Sequence, residues 1–238
     1  MRKTILYSIV AVLFIGACSK DKDTPVEEIP DGIIRTDTSP IYYSRIVNLL
    51  PSSQDAPSIY PVLFSDTVQK KIVLTAESEV YITFVTERAV YKNTVGWYSY
   101  PLGQEPKSAK DLNIHVLFPN VSGKGEGGEL LQGDKLQLGD TKFPKGTVIG
   151  FFLIIKGWKD GYINYGAETY YTHVQFNPNN NQQHVLFQEK NGGRIVLGFE
   201  DMPFNVGDSD FNDILFTVAD NKDGLETIYF DLKGVPKL

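Results

Sequence analysis

Short runs of Val, Ile, Tyr, Phe and Thr, each closed off by Gly, Pro, Asn or Asp, recur along this chain and limit its fold more than any other feature. KIVLTA, EVYITFVTE, GWYSYPL, NIHVLFP, KLQLG, TVIGFFLIIKGW, TYYTHVQF, QHVLFQE, RIVLGFE, DILFTV and TIYFDL follow one another from residue 71 to residue 232. β-Branched and aromatic side chains suit a half-buried pleated surface, and the residues between the runs are those that turn a chain. No window sustains a capped helical period, although KSAKDL allows one turn. The expected class is all-β: an antiparallel two-sheet sandwich, jelly-roll-like, since the longer repeats of a propeller or solenoid are missing. VIGFFLII is apolar on both faces, which predicts a central strand, and it is too short for a membrane helix. HVLF at 115–118, HVQF at 173–176 and HVLF at 184–187 share strand grammar but not a regular spacing.

The amino-terminal residues belong to a different plan. Arg2 and Lys3 precede an apolar stretch from Ile5 to Ala17, and the chain's single cysteine, Cys18, follows. A basic start and an apolar stretch shorter than the roughly 20 residues of a spanning helix fit an export signal. Ile15-Gly16-Ala17-Cys18 closely resembles a bacterial lipobox. That resemblance implies cleavage before Cys18, lipidation of its thiol and attachment to a membrane through several acyl chains. The expected organisation is a signal peptide at 1–17, a lipidated cysteine and flexible tether at 18–40, and one β-sandwich domain at 41–238. Ser19-Lys20-Asp21-Lys22-Asp23 resembles the lysine and acid tracts of surface lipoproteins. The expected location is therefore the outer membrane of a Gram-negative bacterium, facing outward. The formal net charge of -6 falls to -8 once Arg2 and Lys3 are cleaved away, which argues against a nucleic-acid partner. The remaining length suits one sizeable core.

The chemistry-bearing stretch is GFEDMPFNVGDSDFNDILFTV, residues 198–218. Carboxylates crowded beside an apolar run repel one another through a poorly screened medium, and a bound cation is the simplest compensation. Calcium takes six to eight oxygen ligands, and Asp208, Asp210, Asn212 and Asp213 offer that chemistry on one short loop. The run echoes D-x-D-x-N of an EF-hand, but its sixth position is Asp213 rather than glycine and its twelfth is Ala219 rather than glutamate. Its flanks also read as strands, so a rim loop is expected, with Glu200 and Asp201 converging on it from the preceding strand end. Without an ion, the same side chains would cap backbone donors as Asx-turns.

After the tether the chain resembles the bacterial family known as domain of unknown function 4114. The resemblance runs through FVTERAVYKNTVGWYSY, VLFPN, GTVIGFFLIIKGW, FNPNNNQQHVLF and the acidic stretch itself. It implies an exported bacterial protein with metal-binding or enzymic activity and no assigned substrate. It also implies that Glu87 and Asn93 join Glu200, Asp201, Asp208, Asp210, Asn212 and Asp213 as acidic and amide positions. Many relatives read E-x-A-G-Y where this chain has Glu87-Arg88-Ala89-Val90-Tyr91.

Other constellations carry less. Trp97, and Trp158 with Tyr162 and Tyr165 around a turn, offer aromatic faces for a glycan or a surface protein, or simply pack. Glu200 and Glu87 could serve a glycoside hydrolase if roughly 5–9 Å apart. A subunit of a surface adhesion assembly is a further alternative. His115, His173 and His184 are too scattered for a zinc motif, and neither HExxH nor GxSxG occurs. Gly123-Lys124-Gly125-Glu126-Gly127-Gly128 satisfies GxGxxG without a βαβ setting, so it reads as a hairpin loop.

Overall fold

The computed structural model describes residues 25–35, 40–203, 206–224 and 227–238. The signal segment and Cys18 lie outside the described residues. The strands are β1 (Ile72–Val73), β2 (Tyr81–Glu87), β3 (Thr94–Pro101), β4 (His115–Phe118), β5 (Lys135–Gln137) and β6 (Thr147–Ile154). They continue with β7 (Trp158–Lys159), β8 (Tyr162–Ile163), β9 (Thr169–Tyr171), β10 (His184–Gln188), β11 (Ile195–Phe199) and β12 (Ile214–Ala219). One sheet runs β10-β11-β12-β2-β5. The other runs β1-β6-β3-β4, with β9 also paired to β6, and β7-β8 form a small hairpin. All of these strand pairs are antiparallel. The all-β reading holds.

Alternation along the strands builds the layers. Ile149, Phe151 and Leu153 of β6 face a core shared with Ile82, Phe84, Leu197, Phe199, Phe216 and Val218 of the opposite sheet. Val148, Phe152 and Ile154 point the other way and are covered by Tyr98, Tyr100 and Ile163. Every residue of β6 is buried, which is why its sequence is apolar without interruption.

The outer face of the first sheet is closed by a helical layer that the sequence pattern did not announce. Helix α1 (Pro40–Leu49) and the short α2 (Ala56–Ile59) lie there, followed by a 3₁₀ turn at Pro61–Phe64. Tyr42, Tyr43, Ile46 and Leu50 recur at helical spacing and pack on Val85, Val185, Phe187, Val196 and Leu215. Absence of an acidic first turn and a basic last turn left α1 without the usual boundary signals. Residues 25–35, within the expected tether, run along the domain rather than away from it. Val26 N–H donates to Gly161 O at 2.7 Å, Ile34 pairs with Lys135, and Arg35 meets Asp134 at 3.1 Å.

Two further strand expectations are corrected. HVQF turns as a 3₁₀ segment, Val174–Phe176, because the buried Asn177 amide takes the place of a neighbouring strand. Its Oδ1 accepts from Tyr171 N–H at 2.7 Å and its Nδ2 donates to Tyr171 O at 3.0 Å, curling the chain. TIYFDL contributes a single bridge, Phe230 to Leu74. KSAKDL does form one turn, Ala109–Asp111, closed by a capping box between Ser108 and Asp111.

Candidate metal centre

Three strands of one sheet end together at a rim. β11 delivers Glu200 and Asp201 immediately after Phe199. β12 begins after Asp213, and β2 ends at Glu87, directly opposite Ile214. From the second sheet, Asn93 precedes β3. Antiparallel pairing therefore places the β2–β3 turn beside the β11–β12 loop, although more than a hundred residues separate them in the chain.

The β11–β12 loop is held from below. Ser209 and Phe211 both adopt the left-handed conformation, with φ of 55° and 56°. The Phe211 ring is fully buried against Phe64, 5.0 Å between ring centroids, beneath the helical layer. The α1–α2 connection clamps the rest. Ala56 N–H donates to Ser209 O at 2.9 Å, Ser53 N–H to Asp210 Oδ2 at 2.9 Å, and Asn212 Nδ2 to Leu50 O at 2.8 Å. Asn212 N–H closes the turn on Asp210 Oδ1 at 3.0 Å. Sequence reasoning did not identify residues 50–56 as the support of the acidic loop. Their role is visible only through packing.

Two groups of side chains result. Glu200, Asp208 and Asp210 each place a carboxylate oxygen within 4.8 Å of the others; Glu200 and Asp210 are buried and Asp208 is exposed. Gly207 makes room for this arrangement, since a Cβ there would collide with Glu200 Oε1 and come within 2.9 Å of Met202 Cβ. Beside it, Asp201 accepts from Asn93 Nδ2 at 2.8 Å while its own N–H donates to Asp213 Oδ2 at 2.6 Å. Asn93 Oδ1 accepts from Lys156 N–H at 2.9 Å, so one amide joins the ends of both sheets. Glu87 is buried next to the glycine-rich turn. Its Oε2 receives Gly123 N–H at 3.4 Å, and its Oε1 has no hydrogen-bond partner.

Burial dominates the electrostatics. It pushes the Glu200 carboxyl up to about 7, helped by Asp208, Asp210 and Asp201 and opposed by the Phe211 N–H. Asp213 is pushed up to about 8 by burial and then by Asp201. Glu87 rises to about 7, again through burial first, with Glu126 and Asp201 adding to it. Asp201 and Asp210 also rise, chiefly by desolvation, against the hydrogen bonds they accept. Negative charge is therefore disfavoured at this rim unless a cation joins it. The donor set fits calcium: clustered carboxylates, a hard oxygen surface and a glycine-made gap, on an irregular loop that magnesium tolerates poorly.

The other candidates are placed differently. Trp97 is buried between His115, stacked at 4.4 Å, and Phe143, edge-on at 5.2 Å. Trp158 is buried at the start of the β7–β8 hairpin, whereas Tyr162 in the same hairpin is exposed. Tyr165 lines a cavity of about 410 Å³ together with Val26, Ile29 and Pro30. Among the described residues, no potential metal-binding group includes a histidine. His184 is fully buried, with Nε2 3.0 Å from Lys70 O. The GxGxxG stretch is a turn with positive φ at Gly125 and Gly127, and no helix follows it before β5.

Residues 143–221 match the model of a family described as a domain of unknown function (DUF4114). The matched segment runs from just before β6 to just after β12 and carries Glu200, Asp201, Asp208, Asp210, Asn212 and Asp213. Glu87 and Asn93 fall outside it, as do the stretches near 84–100 and 116–120. No curated protein and no solved structure matches the chain.

Proposed function

We propose that this chain is an exported, lipid-anchored calcium-binding β-sandwich, acting as a binding or structural module at the outward face of an outer membrane. The observation that carries the calcium reading is the approach of Glu200, Asp208 and Asp210 to within 4.8 Å of one another at a rim where burial already disfavours charge. Those three side chains would hold the ion, with Asp201 and Asp213 beside them. Bound calcium supplies compensating charge and fixes the β11–β12 loop. The protein's own groups hold that loop against the α1–α2 connection and, through Asn93, against the β2–β3 turn. Rim loops held in this way present a preorganised surface to a glycan or a surface protein.

Asp208 provides the test. It is exposed, so Asp208→Asn removes one ligand charge while sparing the buried hydrogen bonds of Asp210. Thermal unfolding is measured in calcium, magnesium and chelator. Calcium at a hundredfold excess over its dissociation constant adds about 2.7 kcal/mol of stability by mass action. The expected result is a rise of several degrees with calcium alone, much reduced in Asp208→Asn, with the variant melting no lower than the parent in chelator, where it relieves the repulsion on Glu200 and Asp210. Identical melting of the parent protein in all three conditions would sink the calcium reading.

A hydrolase reading draws on one observation, the rise of both Glu87 and Glu200 to about 7, which suits a general acid. It requires glycan turnover that Glu200→Gln abolishes without changing the melting temperature in chelator.

A further inference from the structure

Away from the acidic rim, the edge of β6 that faces away from β3 is covered by two short strands placed end to end. β9 pairs with Phe152 to Ile154, and β1 pairs with Val148 and Ile149. Between them the sheet has a seam. Continuing the two registers sets Thr172 opposite Phe151 and Lys71 opposite Gly150. Thr172 does bond there: its N–H donates to Phe151 O at 2.9 Å, and its Oγ1 accepts from Phe151 N–H at 2.9 Å. The chain then leaves the sheet through His173 into the 3₁₀ turn, while Lys70 and Lys71 enter β1 from the other side. A cavity of about 280 Å³ opens at this junction, lined by Asp66, Lys70, Lys71, Thr172, His173 and Gln175 among others.

The charges are unusual for a chain of formal net charge -6. Lys70 and Lys71 are both half-buried. Lys71 lies 3.7 Å from Glu105, a partly exposed pair that water screens. Lys70 makes no ion pair among the described residues, and burial lowers its ammonium below the usual lysine range against the opposing pull of Asp66. His173 Nδ1 lies 3.3 Å from the Tyr100 hydroxyl. In the tautomer where Nδ1 accepts that hydroxyl, the ring proton sits on Nε2, which leaves that nitrogen a donor.

The backbone under these side chains is tied down. Gln69 N–H donates to Gly234 O at 2.8 Å, and Gln69 Nε2 reaches Lys71 O at 2.9 Å and Asp231 O at 2.8 Å. His184 Nε2 lies 3.0 Å from Lys70 O. The two cations therefore stand on a fixed frame, which reduces the ordering cost of binding. The volume sits at the lower edge of small-molecule pockets, enough for one anionic group and the ring that carries it.

We infer that the β1–β9 seam is an anion-binding site for a single oxyanion group, carboxylate, sulfate or phosphate, on a ligand no larger than a monosaccharide. Lys70 and Lys71 supply the charge, and His173 supplies a hydrogen bond. The site does not depend on the calcium reading.

The test uses the intact protein and an amine-acylating reagent, with each lysine followed by mass spectrometry at constant ionic strength. Sodium sulfate, inorganic phosphate and glucuronate are compared with chloride. Lys70 is expected to be protected from acylation by at least one of the three anions, while the exposed Lys110 and Lys145 are not. Protection by sulfate or phosphate assigns the site to the bare oxyanion; protection by glucuronate alone assigns it to an acidic sugar. Lys70→Met is expected to weaken binding measured by titration calorimetry about tenfold, the effect of losing one charge-assisted hydrogen bond. Equal labelling of Lys70 in all four salts overturns the inference, as does undiminished binding by Lys70→Met.

Discussion

Asn93 donates through Nδ2 to Asp201 Oδ2 at 2.8 Å, and this single amide couples the start of β3 to the loop that carries the acidic residues. Because Asn93 Oδ1 also receives Lys156 N–H at 2.9 Å, the fully buried side chain satisfies a donor and an acceptor at once. Asn93→Ala leaves one buried Asp201 oxygen and the part-buried Lys156 N–H without their partners. The expected loss is about 2 to 4 kcal/mol, read by urea unfolding in chelator. A loss below about 1 kcal/mol would mean that water replaces the amide without penalty. Asn93→Asp is expected to be less stable still in chelator, since it sets another carboxylate against Asp201.

The raised carboxyls fix the sign of the pH dependence. Glu87 and Glu200 lie at about 7 and Asp213 at about 8, against ordinary values of 4.5 and 3.8. Such a group binds more protons folded than unfolded, so the stability it contributes is complete below its ordinary value and is lost as pH rises through the folded one. His184, pushed down to about 4 by complete burial, works in the opposite sense, losing stability as pH falls from 6.5. Several carboxyls outweigh one imidazole. In chelator the melting temperature is therefore expected to fall between about pH 5.5 and 8, and saturating calcium is expected to reduce that fall, leaving the part due to Glu87. Calorimetry across this range checks it; a melting temperature in chelator that climbs with pH contradicts the assignment.

The sheets were legible because their signal is local. Runs of β-branched and aromatic residues closed by turn residues mark β2, β3, β6, β10, β11 and β12, and the acidic loop announced itself by crowding Asp208, Asp210 and Asp213 into a few positions. What stayed hidden depended on contacts between distant segments. Helix α1 has an apolar face at Tyr42, Tyr43, Ile46 and Leu50, but it lacks end charges and falls beside residues that read as tether. The pairing of Asn93 with Asp201 and the clamping of Asp210 by Ser53 join segments more than a hundred residues apart, and no periodicity encodes them. HVQF has a strand's composition, yet the Asn177 amide downstream decides its conformation.

Phe211 links the helical layer to the acidic loop. Its ring is fully buried against Phe64, and its neighbours Asp210 and Asn212 bond to Ser53 and Leu50. Phe211→Ala removes a large core side chain, at a cost of about 3 to 5 kcal/mol. Hydrogen exchange is expected to accelerate first in α1 and α2, with calcium affinity falling in the same variant. Phe211→Leu, closer in volume, should retain most of both. Unchanged exchange in α1 for Phe211→Ala would show that the helical layer is anchored elsewhere.

Gly207 offers the cleanest separation of metal binding from folding. Its φ does not lie in the left-handed range, so alanine is compatible with the backbone, and the only serious obstruction is local. A Cβ at that position collides with Glu200 Oε1 and crowds Met202 Cβ. The carboxylate lies at the far end of a flexible side chain and can swing away, which opens the Glu200–Asp208–Asp210 cluster, whereas Met202 Cβ, at 2.9 Å, yields only through a small local backbone shift. Gly207→Ala is therefore expected to melt within a few degrees of the parent protein in chelator, while its calcium affinity by titration calorimetry falls about tenfold or more, the equivalent of one charged ligand displaced. Undiminished calcium affinity in this variant would place the ion away from Glu200, and attention would move to Asp201 and Asp213, where Asn93 already supplies one neutral oxygen and one amide donor.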